Sequence, residues 1–103
     1  MRKIRILWTD DEVESLKPHI FFLKEKGYDV DTCSNGNDTL DLVKQKSYDL
    51  IFLDENMPGL SGIETLRLIR EIRTDIPVVM ITKSEEEDIM EAAIGSAIAY
   101  YLI

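Results

Sequence analysis

Four apolar residues on consecutive positions, Leu50 to Leu53, constrain the fold of this chain more than any other feature. An apolar run without alternation is typical of a strand covered on both faces, because both sets of alternating side chains then lie in the core. Such strands occur in parallel sheets with helices on each side. The run leads directly into three polar residues, Asp54, Glu55 and Asn56. The sequence therefore predicts a buried strand that presents acidic groups at its carboxyl end.

Segments with strand and helix periodicity alternate along the whole chain. Short apolar or alternating runs predict five strands, and apolar residues at helical spacing predict four helices between them. This alternation predicts an α/β fold, a doubly wound parallel sheet with helices on both faces. The predicted strands cover residues 3–8, 28–32, 50–53, 76–81 and 97–103. The first predicted helix runs from Val13 to the C′ residue Gly27 and has Pro18 in its interior. The second starts after Asn35-Gly36 and includes Val43, and the last two cover 62–73 and 85–94.

Length and composition limit the classes of function. The 103 residues suffice for one domain with a single core. Twenty acidic against twelve basic residues give a net charge of −8, which argues against nucleic acid or an anionic membrane as a direct partner. The single cysteine, Cys33, and the single histidine, His19, exclude an internal disulfide and a cysteine or histidine metal cage. No apolar run approaches membrane-spanning length, and we expect a cytoplasmic protein.

Carboxylates follow two of the predicted central strands. Asp10 and Asp11 come directly after the first strand, and Asp54 ends the third. Ligands of such sheets bind beyond the carboxyl ends of the strands, where the strand order reverses, so we expect these carboxylates to converge. Three carboxylates form an all-oxygen site suited to Mg²⁺ or Mn²⁺. Such a metal would neutralise charge and make a carboxylate usable as a nucleophile toward a phosphoryl group.

Several motifs in order make the chain resemble the receiver domains of two-component response regulators, which have a CheY-like fold. The matching motifs are Asp10-Asp11, "LDENMPGLSG" around Asp54, "VVMIT" ending in Thr82, and "AYYLI" with Tyr101. The resemblance covers residues 1–103 as one receiver domain. It implies a flavodoxin-like sheet of five strands in the order 2-1-3-4-5. It also implies a domain that is not a conventional enzyme, although it assists its own phosphorylation and dephosphorylation.

The resemblance implies a ligand set and a chemical role for the acidic residues. Asp54 would accept phosphate from a sensor histidine kinase or a phosphotransfer protein, forming an acyl phosphate. Asp11 and Asp54 would ligate Mg²⁺ through side chains, and Asn56 through its backbone carbonyl. Asp10 would contribute through a water or a hydrogen bond.

The resemblance also implies a switch at the end of the fourth strand. Thr82 would donate its hydroxyl to a phosphoryl oxygen, and Tyr101 would turn inward when Thr82 moves. This rearrangement would change the binding of an output domain or a partner protein. Tyr101 also suits the simpler role of a half-buried aromatic residue.

The sequence departs from the family pattern in two places. Members of the family carry Lys-Pro directly after the last strand, followed by a fifth helix, whereas this sequence stops at Ile103. We therefore expect a fragment of a longer regulator, with an apolar surface that favours self-association, including a homodimer. Lys83 stands where the family usually has a small residue, close to the approach to Asp54.

Three other interpretations remain open from the residues. Asp10, Asp11 and Glu12 also suit the start of a helix, where acidic residues are favoured. A phosphate-independent pseudo-receiver would serve only as a protein-interaction or dimerisation module. An aspartyl phosphohydrolase of the haloacid-dehalogenase type would need a second Asp two positions after Asp54, where this chain has Asn56.

Overall fold

The computed structural model describes residues 3–81 and the backbone of residues 100–102. Five parallel strands form one sheet in the order β2-β1-β3-β4-β5, which confirms the predicted topology. Thr82, Lys83 and the predicted helix over 85–94 lie outside the described residues. The elements are β1 (Arg5–Thr9), a 3-10 helix (Val13–Leu16), α1 (Lys17–Glu25), β2 (Asp29–Cys33), α2 (Gly36–Gln45), β3 (Leu50–Asp54), α3 (Gly62–Ile72), β4 (Val78–Ile81) and β5 (Tyr100–Leu102).

Helices lie on both faces of the sheet. On one face, Leu53 of β3 belongs to a buried core with Val43 of α2 and Leu66 of α3. The neighbouring residue Phe52 points to the other face, because side chains alternate along a strand. There the Phe52 ring lies 4.7 Å from the Trp8 ring, and the Trp8 ring lies 6.3 Å from that of His19 in α1. Both faces of β3 therefore contact helices or apolar rings, which explains its unbroken apolar run.

The first helical segment differs from the prediction of one continuous helix with Pro18 in its interior. Val13–Leu16 forms a 3-10 helix, and α1 begins at Lys17, so that Pro18 lies in the first turn of α1. The first amides of a helix have no partner within that helix, so a proline there removes no hydrogen bond. The prediction of an interior proline was therefore wrong.

α1 ends at Glu25, and Gly27 is the C′ residue after it, as predicted. Gly27 has a φ of 94°, a left-handed conformation that favours glycine. The amides of Gly27 and Tyr28 donate to the carbonyls of Lys24 and Leu23, respectively. This pair of bonds satisfies carbonyls of the last turn and directs the chain back into β2.

α2 and α3 begin at side-chain caps close to the carboxyl edge of the sheet. Asn35 Oδ1 accepts a hydrogen bond from the amide of Asp38 at 2.8 Å, and Ser61 Oγ accepts one from the amide of Glu64 at 3.2 Å. Asn and Ser are preferred at this position because they satisfy amides of the first turn. The caps confirm the predicted helix starts and place both helix N-termini beside the strand ends.

α1 leaves large apolar side chains in solvent. Phe21 and Phe22 are 64% and 59% exposed, and none of the residues of α1 is buried. The expected self-association of the chain stays a prediction. Over the described part of the chain, no helix combines the length and the apolarity that a membrane span needs.

The buried and exposed apolar residues predict very different costs of truncation. Leu66 is fully buried between α3 and the sheet, so Leu66→Ala should lower the free energy of unfolding by about 3 kcal/mol through lost contacts and a cavity. Phe21→Ala, a truncation on the exposed surface of α1, should change it by less than about 0.5 kcal/mol. Urea unfolding followed by circular dichroism measures both. Equal losses in the two variants would contradict this placement of the core.

Candidate functional site

The pairing of β1 with β3 brings the acidic residues together. Thr9 lies opposite Leu53 across this pair, and Asp54 lies opposite Ile81 on β4. Asp10 follows Thr9, so it lies beside Asp54 at the carboxyl edge of the sheet. The strand order reverses at this point, because β2 lies on the other side of β1. This edge is the crevice in which open α/β sheets bind their ligands.

Asp10, Asp11 and Asp54 form an acidic cluster. One carboxylate oxygen of each residue lies within 4.8 Å of the corresponding oxygens of the other two. Asp10 and Asp54 are buried, whereas Asp11 is exposed. The convergence predicted from the sequence is confirmed. All three possible ligands are carboxylate oxygens, which suit Mg²⁺ and Mn²⁺, whereas softer metals favour sulfur or imidazole ligands.

Backbone amides hold two of these carboxylates in place. Asp10 Oδ1 accepts a hydrogen bond from the amide of Glu12 at 2.8 Å, and the Asp10 amide donates to the carbonyl of Cys33 at 3.1 Å. Asp10 therefore also stabilises the turn before the 3-10 helix, part of the helix-start role left open above. Asp54 Oδ1 accepts from the amide of Asn56 at 3.2 Å.

Burial and neighbouring charge change the acidity of Asp54. Burial is the largest reason why the pKa of Asp54 is raised to about 6 from its ordinary 3.8. The carboxylates of Asp10 and Asp11 raise this pKa further, while the hydrogen bond from the Asn56 amide lowers it. The cluster therefore resists ionisation of Asp54 unless a positive charge is added.

The other predicted site residues are described to different extents. Asn56 is exposed directly after the cluster, and its amide contacts Asp54. Tyr101 lies on β5 opposite Met80 of β4. The predicted switch role of Tyr101 stays a prediction, as does that of Thr82, which lies outside the described residues.

Sequence reasoning missed Glu55. Although glutamate is normally exposed, Glu55 is buried, and its Oε2 accepts a hydrogen bond from the amide of Ile63 at 2.9 Å. The Glu55 amide donates to the carbonyl of Ile81 at 2.9 Å, and its carbonyl accepts from the amide of Gly62 at 3.1 Å. Nothing in the local sequence distinguishes this residue from a solvated acid at a strand end.

A hydroxyl and thiol network below the acidic cluster was also missed. The hydroxyl oxygens of Thr9 and Thr39 lie 2.7 Å apart, and each lies 3.1 Å from the sulfur of Cys33. Because the Thr39 hydroxyl donates to the carbonyl of Asn35, it accepts from Thr9. The network connects β1, β2 and α2 at the residue before Asp10.

Proteins of known sequence match this chain over most of its length. The profile of the response regulator receiver domain matches residues 6–103. The cell cycle transcriptional regulator CtrA of Caulobacter vibrioides is 35% identical over 85 residues, which cover 82% of this chain and 37% of CtrA. The transcriptional regulatory protein CpxR homolog of Haemophilus influenzae is 39% identical over 83 residues, covering 81% of this chain and 36% of that protein. The chain thus spans less than two fifths of these relatives.

A solved structure agrees with the sheet and its helices. The response regulator protein TrrA of Thermotoga maritima, crystallised in complex with Mg²⁺-BeF, is 31% identical, with a TM-score of 0.85 over 97% of this chain and 85% of that chain. The family whose profile matches almost every residue accounts for two features together: the strand order β2-β1-β3-β4-β5 and the acidic cluster. This chain belongs to the response regulator receiver domain family of two-component systems.

Proposed function

We propose that Asp54 accepts a phosphoryl group from the phosphohistidine of a sensor histidine kinase or a phosphotransfer protein, with Mg²⁺ or Mn²⁺ as cofactor. The observation that carries this proposal is the convergence of Asp54 with Asp10 and Asp11, one oxygen of each lying within 4.8 Å of the others. The domain would act in the cytoplasm and change the activity of an output domain or partner protein. It would have no independent substrate to turn over.

The acidic cluster fits a divalent cation by its chemistry. Mg²⁺ usually binds one or two carboxylates and retains several waters. Asp11 and Asp54 would supply the carboxylates, Asn56 its backbone carbonyl, and Asp10 a bond through water. When bound, the cation supplies the positive charge that offsets repulsion among the carboxylates and an incoming phosphoryl group. TrrA was crystallised in complex with Mg²⁺-BeF, which supports Mg²⁺ as a cofactor of this domain.

Asp54 has the surroundings that an aspartyl nucleophile needs. Strand β3 holds its backbone between β1 and β4, and the Asn56 amide orients its Oδ1. One carboxylate oxygen would attack phosphorus in line, and the bond from phosphorus to the donor imidazole nitrogen would break. That nitrogen keeps the bonding electron pair, and the product is an acyl phosphate. The amides after the strand, including that of Asn56, would stabilise the added negative charge.

The structural response to phosphorylation would be a shift between two arrangements of the loop after β4. The Glu55 amide donates to the carbonyl of Ile81, so the residue after Asp54 is already connected to the residue before Thr82. A phosphoryl group on Asp54 would favour the arrangement in which Thr82 bonds to it, and Tyr101 would follow.

Phosphorylation of Asp54 can be tested directly by intact mass. Incubated with Mg²⁺ and acetyl phosphate, the wild-type chain should gain one phosphate, and a chelator should prevent the gain. Asp54→Asn should gain none. Asp41→Asn, the same substitution at an exposed position on α2, should behave as the wild type does.

Two other outcomes would replace the proposal. No gain of phosphate in a chain extended past residue 103 would make this domain a phosphate-independent interaction module. Multiple turnover of a phosphate ester would make it a phosphohydrolase.

The burial of Asp54 and the repulsion within the acidic cluster predict a pH-dependent stability in the absence of metal. The pKa of Asp54 is raised from 3.8 to about 6 in the folded state, so folding favours the protonated carboxyl. The favourable contribution of Asp54 to the free energy of unfolding is therefore complete below pH 3.8 and is lost as pH rises through 6. Asp54→Asn does not ionise. It should therefore be more stable than the wild type by about 2 kcal/mol at pH 7.5, with little difference near pH 4.

Urea unfolding in the presence of a chelator measures this difference. Added Mg²⁺ should reduce the advantage of Asp54→Asn, because the cation stabilises the ionised cluster. An advantage of the same size at pH 4 and at pH 7.5 would contradict the assigned electrostatics.

A further inference from the structure

We propose that Glu55 is a positioning residue for the metal site: its carboxylate closes the loop of residues 56–61 and thereby holds the Asn56 carbonyl in place. The inference rests on the proposed function, because it concerns the same cation and the same acceptor. It assigns a role to a residue that is not a member of the acidic cluster.

The first observation is the buried carboxylate of Glu55. A buried carboxylate is costly unless hydrogen bonds satisfy it. The Glu55 side chain reaches across the loop, and its Oε2 accepts from the Ile63 amide at 2.9 Å. That amide lies in the first turn of α3, where amides lack intrahelical partners and the helix dipole favours a negative charge. The bond therefore joins the residue after Asp54 to the start of α3.

Main-chain bonds of the same residue reinforce this connection. The Glu55 carbonyl accepts from the Gly62 amide at 3.1 Å, so side chain and backbone together bind two successive amides of α3. The loop of residues 56–61 is closed at its base by these two bonds. Because Asn56 is the first residue of the loop, its carbonyl direction depends on this closure.

The start of α3 is also in direct contact with the backbone of Asp54. A Cβ atom at Gly62 would lie 2.6 Å from the Asp54 carbonyl oxygen and 2.7 Å from the Glu55 Cα. The space is too small for any side chain, so the start of α3 cannot move toward the strand without displacing the acceptor residue. The loop is therefore closed against the backbone at the end of β3, beside the proposed ligands Asp54 and Asn56.

The Glu55 side chain is not required merely to begin α3. Ser61 already caps this helix through its bond to the Glu64 amide. What the Glu55 carboxylate adds is the connection between the two ends of the loop. Its removal should therefore weaken metal binding more than it weakens the helix.

Two conservative variants separate the hydrogen bond from the charge. Glu55→Gln keeps an acceptor oxygen at the same reach but removes the charge, whereas Glu55→Asp keeps the charge but is one methylene too short to reach Ile63. Calorimetric titration with Mn²⁺ should give Glu55→Gln an affinity within about twofold of the wild type. It should give Glu55→Asp an affinity about tenfold weaker. Glu64→Asp, the same shortening at an exposed position of the same turn, should bind as the wild type does.

The rate of phosphorylation by acetyl phosphate gives a second readout. In Glu55→Asp this rate should fall at low Mg²⁺ and recover at saturating Mg²⁺, since the acceptor itself is unchanged. Circular dichroism at low Mg²⁺ must show Glu55→Asp to be folded, because Mg²⁺ would also reverse a loss of global stability by binding the folded state. An affinity for Mn²⁺ in Glu55→Asp equal to that of the wild type would overturn the proposal. An equally weakened affinity in Glu55→Gln would also overturn it, because the charge of Glu55 and not its hydrogen bond would then be responsible.

Amide exchange keeps the proposal testable if Glu55→Asp does not fold. The Ile63 amide should exchange slowly in the wild type and in Glu55→Gln, and fast exchange in the wild type would overturn the role of the bond. A failure of the proposed function would give a different result from a failure of this inference. The wild-type chain would then bind Mn²⁺ but gain no phosphate, which would exclude Asp54 as the acceptor. The affinity comparison would then still decide the role of Glu55.

Discussion

The parallel pairing of β1 with β3 is the constraint on which the rest of the structure depends. Its backbone hydrogen bonds are buried at the centre of the sheet, so both faces must be covered by helices or apolar side chains. This requirement accounts for the unbroken apolar run of β3 and for helices on both sides. The same pairing makes the carboxyl ends of the two strands adjacent, and the register Thr9 to Leu53 leaves the next residues, Asp10 and Asp54, side by side.

The acidic cluster works against folding, and the surrounding residues offset that cost. Burial of Asp54 beside Asp10 and Asp11 raises its pKa to about 6, so ionisation at neutral pH destabilises the metal-free protein. The Glu12 amide donates to the Asp10 carboxylate, and the Asn56 amide donates to the Asp54 carboxylate. These hydrogen bonds hold the carboxylates at a distance at which protonation or a bound cation would reduce their repulsion.

The sequence predicted the elements that depend on periodicity and missed those that depend on the path of a loop. Alternation of strand and helix patterns predicted a parallel sheet, and the resemblance to receiver domains implied its strand order. The strand ends predicted the convergence of the carboxylates. Apolar spacing cannot distinguish a proline in the first turn of a helix from one in its interior, so Pro18 was misplaced. Glu55 was missed because its burial is set by the closure of the loop onto Gly62 and Ile63, and the path of that loop is not visible in the sequence. Cys33 was missed for the same reason, since its partners Thr9 and Thr39 lie on other elements.

A response to phosphate would have to take place in the loops at the carboxyl edge and not in the strands. A shift of β3 by one residue would exchange its two faces, placing Phe52 in the core position of Leu53, and both faces are packed. The strands therefore resist a change of register, so a response to phosphate would have to come from the connections that leave them. Glu55 lies between two of these connections, since it bonds to Ile81 at the end of β4 and to Ile63 at the start of α3. A charge added at Asp54 would thus act first on the residue that already joins the acceptor to both neighbouring elements.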